Sequence, residues 1–402
     1  MAPIHLAVAL DGAGWHPAAW REPGARPDLL FTARYWAALA RAAERGLLDL
    51  VTIEDGLGLQ SGDHLAAGID GADRRTDQVR GRLDAELVAA FVAPLTRHVG
   101  LVPTVTTTHT EPFHIASAIS TLDHDSHGRA GWRVQTSARA DEAAHFGRRM
   151  LPEIRRETLD TPETVAAVAD LFEEAADAVE VVRRLWDSWE DDAEIRDAAT
   201  NRFLDRDKIH TIDFEGRFFS VRGPGIVPRS PQGQPLVVAL AHARAAYELA
   251  ARAADVVFTT PQGAADIPAI LGEIRAAQHA VGRTLPPLRV LADLVVVLDT
   301  DADAAHARLR RLEEHGPLRS DAAVLAGTPT ALADLLESWR DEGVDGSRLR
   351  PAVLPTDLDA IVDRLVPQLQ ERGLFRTAYG PGTLRERFGL ERPASRYAGV
   401  AA

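Results

Sequence analysis

The sequence predicts a closed (β/α)8 barrel, and three observations lead there. Short apolar runs alternate with longer amphipathic stretches from end to end, the pattern of an α/β fold with a parallel sheet. About eight such pairs follow one another with no linker-like stretch, which favours one ring of strands over two open doubly wound sheets. No Gly-x-Gly-x-x-Gly follows any apolar run, so the usual signature of a dinucleotide-binding sheet is missing. A decorated barrel can reach the 402 residues of this chain, and residues 1–402 are expected to form one such domain.

Residues 4–10 give the first strand. Residues 31–45 carry apolar side chains near every third or fourth position and end at Gly46, which predicts a helix. Residues 47–53 read as the second strand. The polar loop after it, about residues 55–80, is long for a plain connection and so a candidate for function. Residues 86–95 predict helix, 99–105 strand, 111–122 helix and 130–135 the fourth strand. An irregular insertion then precedes the clearest helix, residues 161–189. Its Val165, Val168, Phe172, Ala175, Val179, Val182, Trp186 and Trp189 share one stripe. Residues 209–222 predict a hairpin decorating the barrel. Residues 236–239, 256–258 and 290–297 are further strands, each followed by helical sequence. Residues 349–354 are the candidate last strand, 358–372 the last long helix, and 380–402 an extended tail packed on the body.

Composition excludes several functions. With 46% hydrophobic residues the chain has material for a sizeable core. A net charge of −14 disfavours a general binder of nucleic acid or anionic membrane. The absence of cysteine removes disulfides, thiolate nucleophiles and Cys-ligated metals. No apolar run approaches the roughly 20 residues of a membrane span, and the start lacks a basic region followed by an apolar one. A cytoplasmic protein is the expectation.

Several sequence blocks then point further. They are Thr121-Leu122-Asp123-His124 with Gly128-Arg129-Ala130-Gly131-Trp132, the run from Leu185 to Asp192, and the run from Gly216 to Pro224. Gly327-Thr328-Pro329, Val366-Pro367 through Arg376, and finally Tyr379 with Thr383-Leu384-Arg385 complete them. In this order they resemble the luciferase-like, flavin-dependent monooxygenases. The likeness is to the group of nitrilotriacetate monooxygenase, dibenzothiophene-sulfone monooxygenase and the pristinamycin synthase large subunit. The resemblance implies a (β/α)8 barrel that binds reduced FMN at the C-terminal ends of its strands. It also implies a separate NAD(P)H:flavin reductase that supplies the FMN, O2 as co-substrate, a small organic substrate and a homodimer. Trp186 and Trp189 are candidates for the dimer surface or for barrel packing.

The resemblance assigns flavin contacts to Asp55 and Thr104, which end the second and third strands. Asp55 also reads as a loop cap for Gly56, and Thr104 as an ordinary β-branched strand residue. Thr136 and Ser137 end the fourth strand as candidate donors. Trp132 before them reads as a barrel or interface aromatic, and Arg133 stands where the family usually has Asn. The family's His and Tyr contacts fall on Val168 and Phe172, which offer no side-chain hydrogen bond. Its Gly-Ser-Ser phosphate turn falls on residues 239–244, where His242 and Arg244 are the candidate phosphate ligands or plain turn residues. His16, between Trp15 and Trp20, is the candidate catalytic residue at the substrate wall, or a packed loop histidine. His109 and His114 also belong to the top of the barrel. His124 and His127 lack an acidic pair at matching spacing, so no metal is expected. The stretch 313–326 is shorter than the family's pocket roof, which predicts a pocket more open to water. These departures keep two alternatives open, a non-catalytic barrel and an oxidoreductase using the deazaflavin F420.

Overall fold

The computed structural model describes residues 3–60, 76–152 and 154–398; part of the loop expected at 55–80 and the last residues of the tail lie outside them. Eight parallel strands form the ring: β1 (His5–Leu10), β2 (Leu50–Ile53), β3 (Gly100–Thr106), β4 (Gly131–Gln135), β5 (Leu236–Leu240), β6 (Val256–Thr259), β7 (Arg289–Leu298) and β8 (Gly346–Pro351). Each pairs with the next in chain order, and β8 returns to β1 with His5 opposite Gly346, so the barrel is closed. The strands are buried almost throughout because helices cover the outside and side chains fill the inside, hence their Val, Leu and Ala content.

The outer helices are α1 (Ala33–Arg45), α2 (Ala85–Val92), α3 (Pro112–Asp125), α4 (Pro162–Asp187), α5 (Arg244–Ala253), α6 (Ile267–Ala280), α7 (Ala302–Glu313) and α8 (Pro329–Asp341). A helical run over 356–371, with a π turn at Ile361–Leu365, closes the series. Their starts follow local chemistry. Asp84, Thr161, Asp301 and Thr328 each accept a backbone N–H of the first turn of α2, α4, α7 and α8.

The hairpin expected at 209–222 is present as Phe214–Glu215 against Ser220–Val221. A second hairpin, Glu194–Asp197 against Arg202–Leu204, escaped the sequence reading because it is polar and lies at the surface. Among the described residues, the insertion after β4 holds a short α-helix, Ala140–Phe146, and a 3-10 turn, Arg156–Thr158. The apolar stripe of α4 is buried from Ala175 onward, whereas Val165 is exposed. Trp186 and Trp189 pack within the chain, donating their indole N–H to Ala116 O at 3.0 Å and Gly225 O at 2.8 Å. Trp132 is a barrel aromatic, fully buried.

Two differences matter for the site. The last strand begins at Gly346 and ends at Pro351, earlier than the apolar run at 349–354 suggests, because Arg348 and Arg350 occupy its inward positions. The tail is not uniformly extended. Thr383 and Glu386 cap a helical turn, Leu384–Arg387, from which Leu384 and Phe388 plug the N-terminal end of the barrel against Ala7, Leu50 and Leu291. No helix among the described residues is long and apolar enough to cross a membrane.

Candidate active site

The interior of this barrel carries charge. Glu54, just past β2, accepts from Arg348 at 3.0 Å and pairs with Arg133 at 3.0 Å. Arg348 also reaches Thr52 Oγ1 at 3.1 Å and grips Asp293 of β7, with 2.9 Å from Nε to Oδ1. Arg350 shares Asp293 at 2.8 Å and ties Asp321 from the segment after α7 at 2.5 Å. Burial works to raise the Glu54 carboxyl, but Arg133, Arg348 and Arg350 outweigh it and hold the group below its ordinary range. Three cations and their carboxylates thus form one hydrogen-bonded layer beneath the C-terminal face, where barrel enzymes do their chemistry.

Arg133 links this layer to the strand ends. Its Nη1 lies 3.0 Å from Thr104 Oγ1 and 3.1 Å from Gln135 Oε1, and Gln135 donates to the Asp55 carbonyl at 3.2 Å. The Asp55 carboxylate accepts from Gly56 N at 2.7 Å and Ala85 N at 2.8 Å, fastening the β2 loop to α2. Asp55 is therefore a loop cap in this structure, and burial pushes it up to about 6. Glu86 beside it is pushed up to about 7 by burial, then by Asp84 and Asp55.

Above the layer lies a cavity of about 520 Å3. The loop after β1 contributes Asp11, Trp15, His16 and Trp20; Gln60 and Arg82 come from the β2 loop. Pro317, Ser320 and Asp321 supply a further wall, so the shortened stretch at 313–326 still helps to cover the pocket, held by the Asp321–Arg350 ion pair. His16 is 1% exposed. Its Nδ1 accepts the Ala18 N–H at 3.1 Å, which places the imidazole proton on Nε2. Burial, helped by His315, pushes its pKa down to about 4, so the ring is neutral at pH 7. Trp15 stacks 4.4 Å from the Arg350 guanidinium.

The other sequence candidates are placed as follows. Ser137 is buried after β4; its N–H donates to Thr108 Oγ1 at 2.9 Å and its Oγ accepts from Arg139 N at 3.3 Å. His242 and Arg244 stand at the start of α5 with exposed side chains, His242 3.9 Å from Asp321 and Arg244 2.9 Å from Glu248. Val168 and Phe172 are half-buried on α4. The geometry thus gathers Asp55 and Thr104 around Arg133 and leaves Arg244 at the surface. His124 Nε2 lies 3.2 Å from Pro228 O, and among the described residues no cluster of three metal-ligating side chains occurs. The charged layer itself was missed from sequence. Its signals were Asp293 inside an apolar strand and the Ser347-Arg348-Leu349-Arg350 alternation.

Among the described residues, buried polar atoms without a partner concentrate at this end of the barrel. Trp15 Nε1, His16 Nε2, Gln60 Oε1, Arg82 Nε, His109 Nε2 and Arg133 Nε are among them. Buried polar groups are normally paired. A row of unmatched nitrogens with one unmatched acceptor, Gln60 Oε1, fits a large ligand rich in hydrogen-bonding atoms, as the isoalloxazine ring is.

A family model described as Luciferase-like monooxygenase matches residues 12–348. The chain belongs to this family. It is 32% identical to the N-acetyl-S-(2-succino)cysteine monooxygenase of Bacillus subtilis (strain 168), with 98% of each chain covered. It is also 32% identical to nitrilotriacetate monooxygenase component A of Aminobacter aminovorans, with 97% of each covered. The crystal structure of a long-chain alkane monooxygenase superposes with a TM-score of 0.84 at 25% identity, covering 97% of this chain and 96% of that one. This luciferase-like barrel is a flavin-dependent monooxygenase, and the non-catalytic alternative is not favoured.

Proposed function

We propose that the chain, as one unit over residues 1–402, is the oxygenase of a two-component system. A separate NAD(P)H:flavin reductase delivers reduced FMN, and a small organic substrate binds in the cavity beside His16. The supporting observation is the coincidence of that cavity with the unmatched polar atoms of the same barrel end. Thr104, Asp55 and Ser137 are the residues to hold the ring, with His242 and Arg244 at the start of α5 for the phosphate. When bound, reduced flavin supplies the two electrons that activate O2, so that one oxygen atom goes to the substrate and the other leaves as water.

The protein's own contribution is positioning and electrostatics. The layer beneath the ring presents Arg133 at a buried, fixed position, so no reorganisation accompanies the reaction. His16 is neutral and can donate from Nε2 to an acceptor on the substrate without carrying charge. The wall from 317 to 321 limits water access. A cytoplasmic homodimer is part of the same proposal, drawn from the family.

Fluorescence titration with FMN, reduced FMN and F420 tests the reading. Saturable binding of reduced FMN and oxygenation in the presence of a flavin reductase are expected. F420 binding alone, or no flavin binding, overturns it. Arg244→Ala is expected to weaken FMN by about 1–3 kcal/mol if it grips the phosphate, and to leave riboflavin unchanged. Equal effects on both remove Arg244 from the phosphate site.

A further inference from the structure

A second cavity, of about 900 Å3, opens at the opposite, N-terminal end of the barrel. It lies where the starts of β1 and β7 meet residues 376–389. Four arginines line it, Arg289, Arg340, Arg376 and Arg387, against two aspartates, Asp341 and Asp345. In a chain of net charge −14 this is a local reversal of sign.

Three of the arginines are matched. Arg289 lies 3.1 Å from Asp345, Arg340 lies 2.6 Å from Asp341, and Arg376 pairs with Asp49. Arg387 is not matched. Its Nε and Nη1 are buried and meet no acceptor among the described residues, and its guanidinium sits 5.4 Å from the Tyr379 ring centre. The two carboxylates whose charge it feels are already engaged. Asp49 serves His5 at 3.0 Å, Leu6 N at 2.8 Å and Arg376. Glu44 accepts three successive backbone N–H groups, from Arg97 to Val99. A guanidinium with two buried nitrogens and no counter-charge is costly, and an anion at its remaining, cavity-facing side relieves part of that cost. The cavity is of the size that takes a whole small molecule rather than a bare ion. The His5 ring, held at 4.2 Å against the buried Phe388, also lines the cavity.

We propose that this cavity binds a phosphate-bearing small molecule, with Arg387 as the anchor and Arg340 as a second contact. Guanidinium groups are suited to the oxygen geometry of phosphate, and with Arg289, Arg340 and Arg376 already paired, Arg387 leaves one positive charge for an anion to meet. The site lies at the far end of the barrel from the chemistry and does not depend on the assignment of the flavin contacts.

Calorimetric titration of the full chain with inorganic pyrophosphate tests this. Saturable binding is expected, weakened about tenfold or more in Arg387→Gln, the scale of a charged hydrogen bond. Arg340→Gln, which alters a partly exposed side chain, is expected to weaken it less and carries the test if Arg387→Gln does not fold. No saturable binding by the wild type, or equal binding by the wild type and the folded variants, overturns the proposal. A parallel FMN titration separates two sources of the phosphate. Two equivalents per chain, one of them lost in Arg387→Gln, identify flavin nucleotide as the occupant. A single equivalent that the substitution leaves untouched, with pyrophosphate binding still sensitive to it, identifies another phosphorylated molecule.

Discussion

Arg133 Nη1 lies 3.0 Å from Thr104 Oγ1, so the threonine at the end of β3 is engaged by a cation from β4. The same nitrogen is 3.0 Å from Glu54 Oε2, and all three side chains are buried. Under the proposed flavin placement, the ring would meet a guanidinium already locked into the barrel.

Breaking that lock has a defined cost. Glu54→Gln leaves Arg133 and Arg348 short of a counter-charge and is expected to destabilise the fold by about 3–5 kcal/mol in urea denaturation. A loss under about 1 kcal/mol, the scale of a surface pair, contradicts the buried layer.

His16 offers a spectroscopic check. Nitrogen NMR is expected to show a neutral ring protonated at Nε2 from pH 5 to pH 8, because Nδ1 accepts the Ala18 N–H. The folded-state pKa of about 4 lies below that of the unfolded chain. The stability it contributes is therefore present above the unfolded value and lost as pH falls through about 4. A titration midpoint near 6.5 counts against the buried placement.

Glu86 works in the opposite direction. Its folded-state pKa of about 7 is above the unfolded value, so the folded chain holds the proton longer and stability is lost as pH rises through about 7. Glu86→Gln is expected to gain on the wild type by about 2–3 kcal/mol between pH 4 and pH 8. Denaturation midpoints at the two pH values measure it; a constant difference between the proteins refutes the shift.

The tail is expected to be structural. Phe388 is 1% exposed in the plug at the N-terminal end, whereas Met150 is 98% exposed. Phe388→Ala is expected to cost about 3–5 kcal/mol by chemical denaturation, and Met150→Ala under about 0.5 kcal/mol. Similar midpoints for the two variants show that the tail does not close the barrel.

The ring of strands and helices was legible in the sequence because it rests on local patterns. Apolar runs long enough for a strand and stripes at helical spacing reflect burial on one or both faces, and burial is what composition records along the chain. The seven earlier strands fall on their expected runs, while the eighth is displaced because its inward residues are Arg348 and Arg350. Tertiary structure alone decided the chemistry of the interior. Arg348 and Glu54 are 294 residues apart and meet at 3.0 Å only because the barrel closes. The same closure engages Thr104 with Arg133, turns Asp55 into the cap of α2's approach, leaves Arg244 in solvent and gives His16 its buried neutral ring. Whether a polar side chain is a ligand, a cap or a counter-ion depends on which charges converge on it across the fold, and no local pattern carries that information.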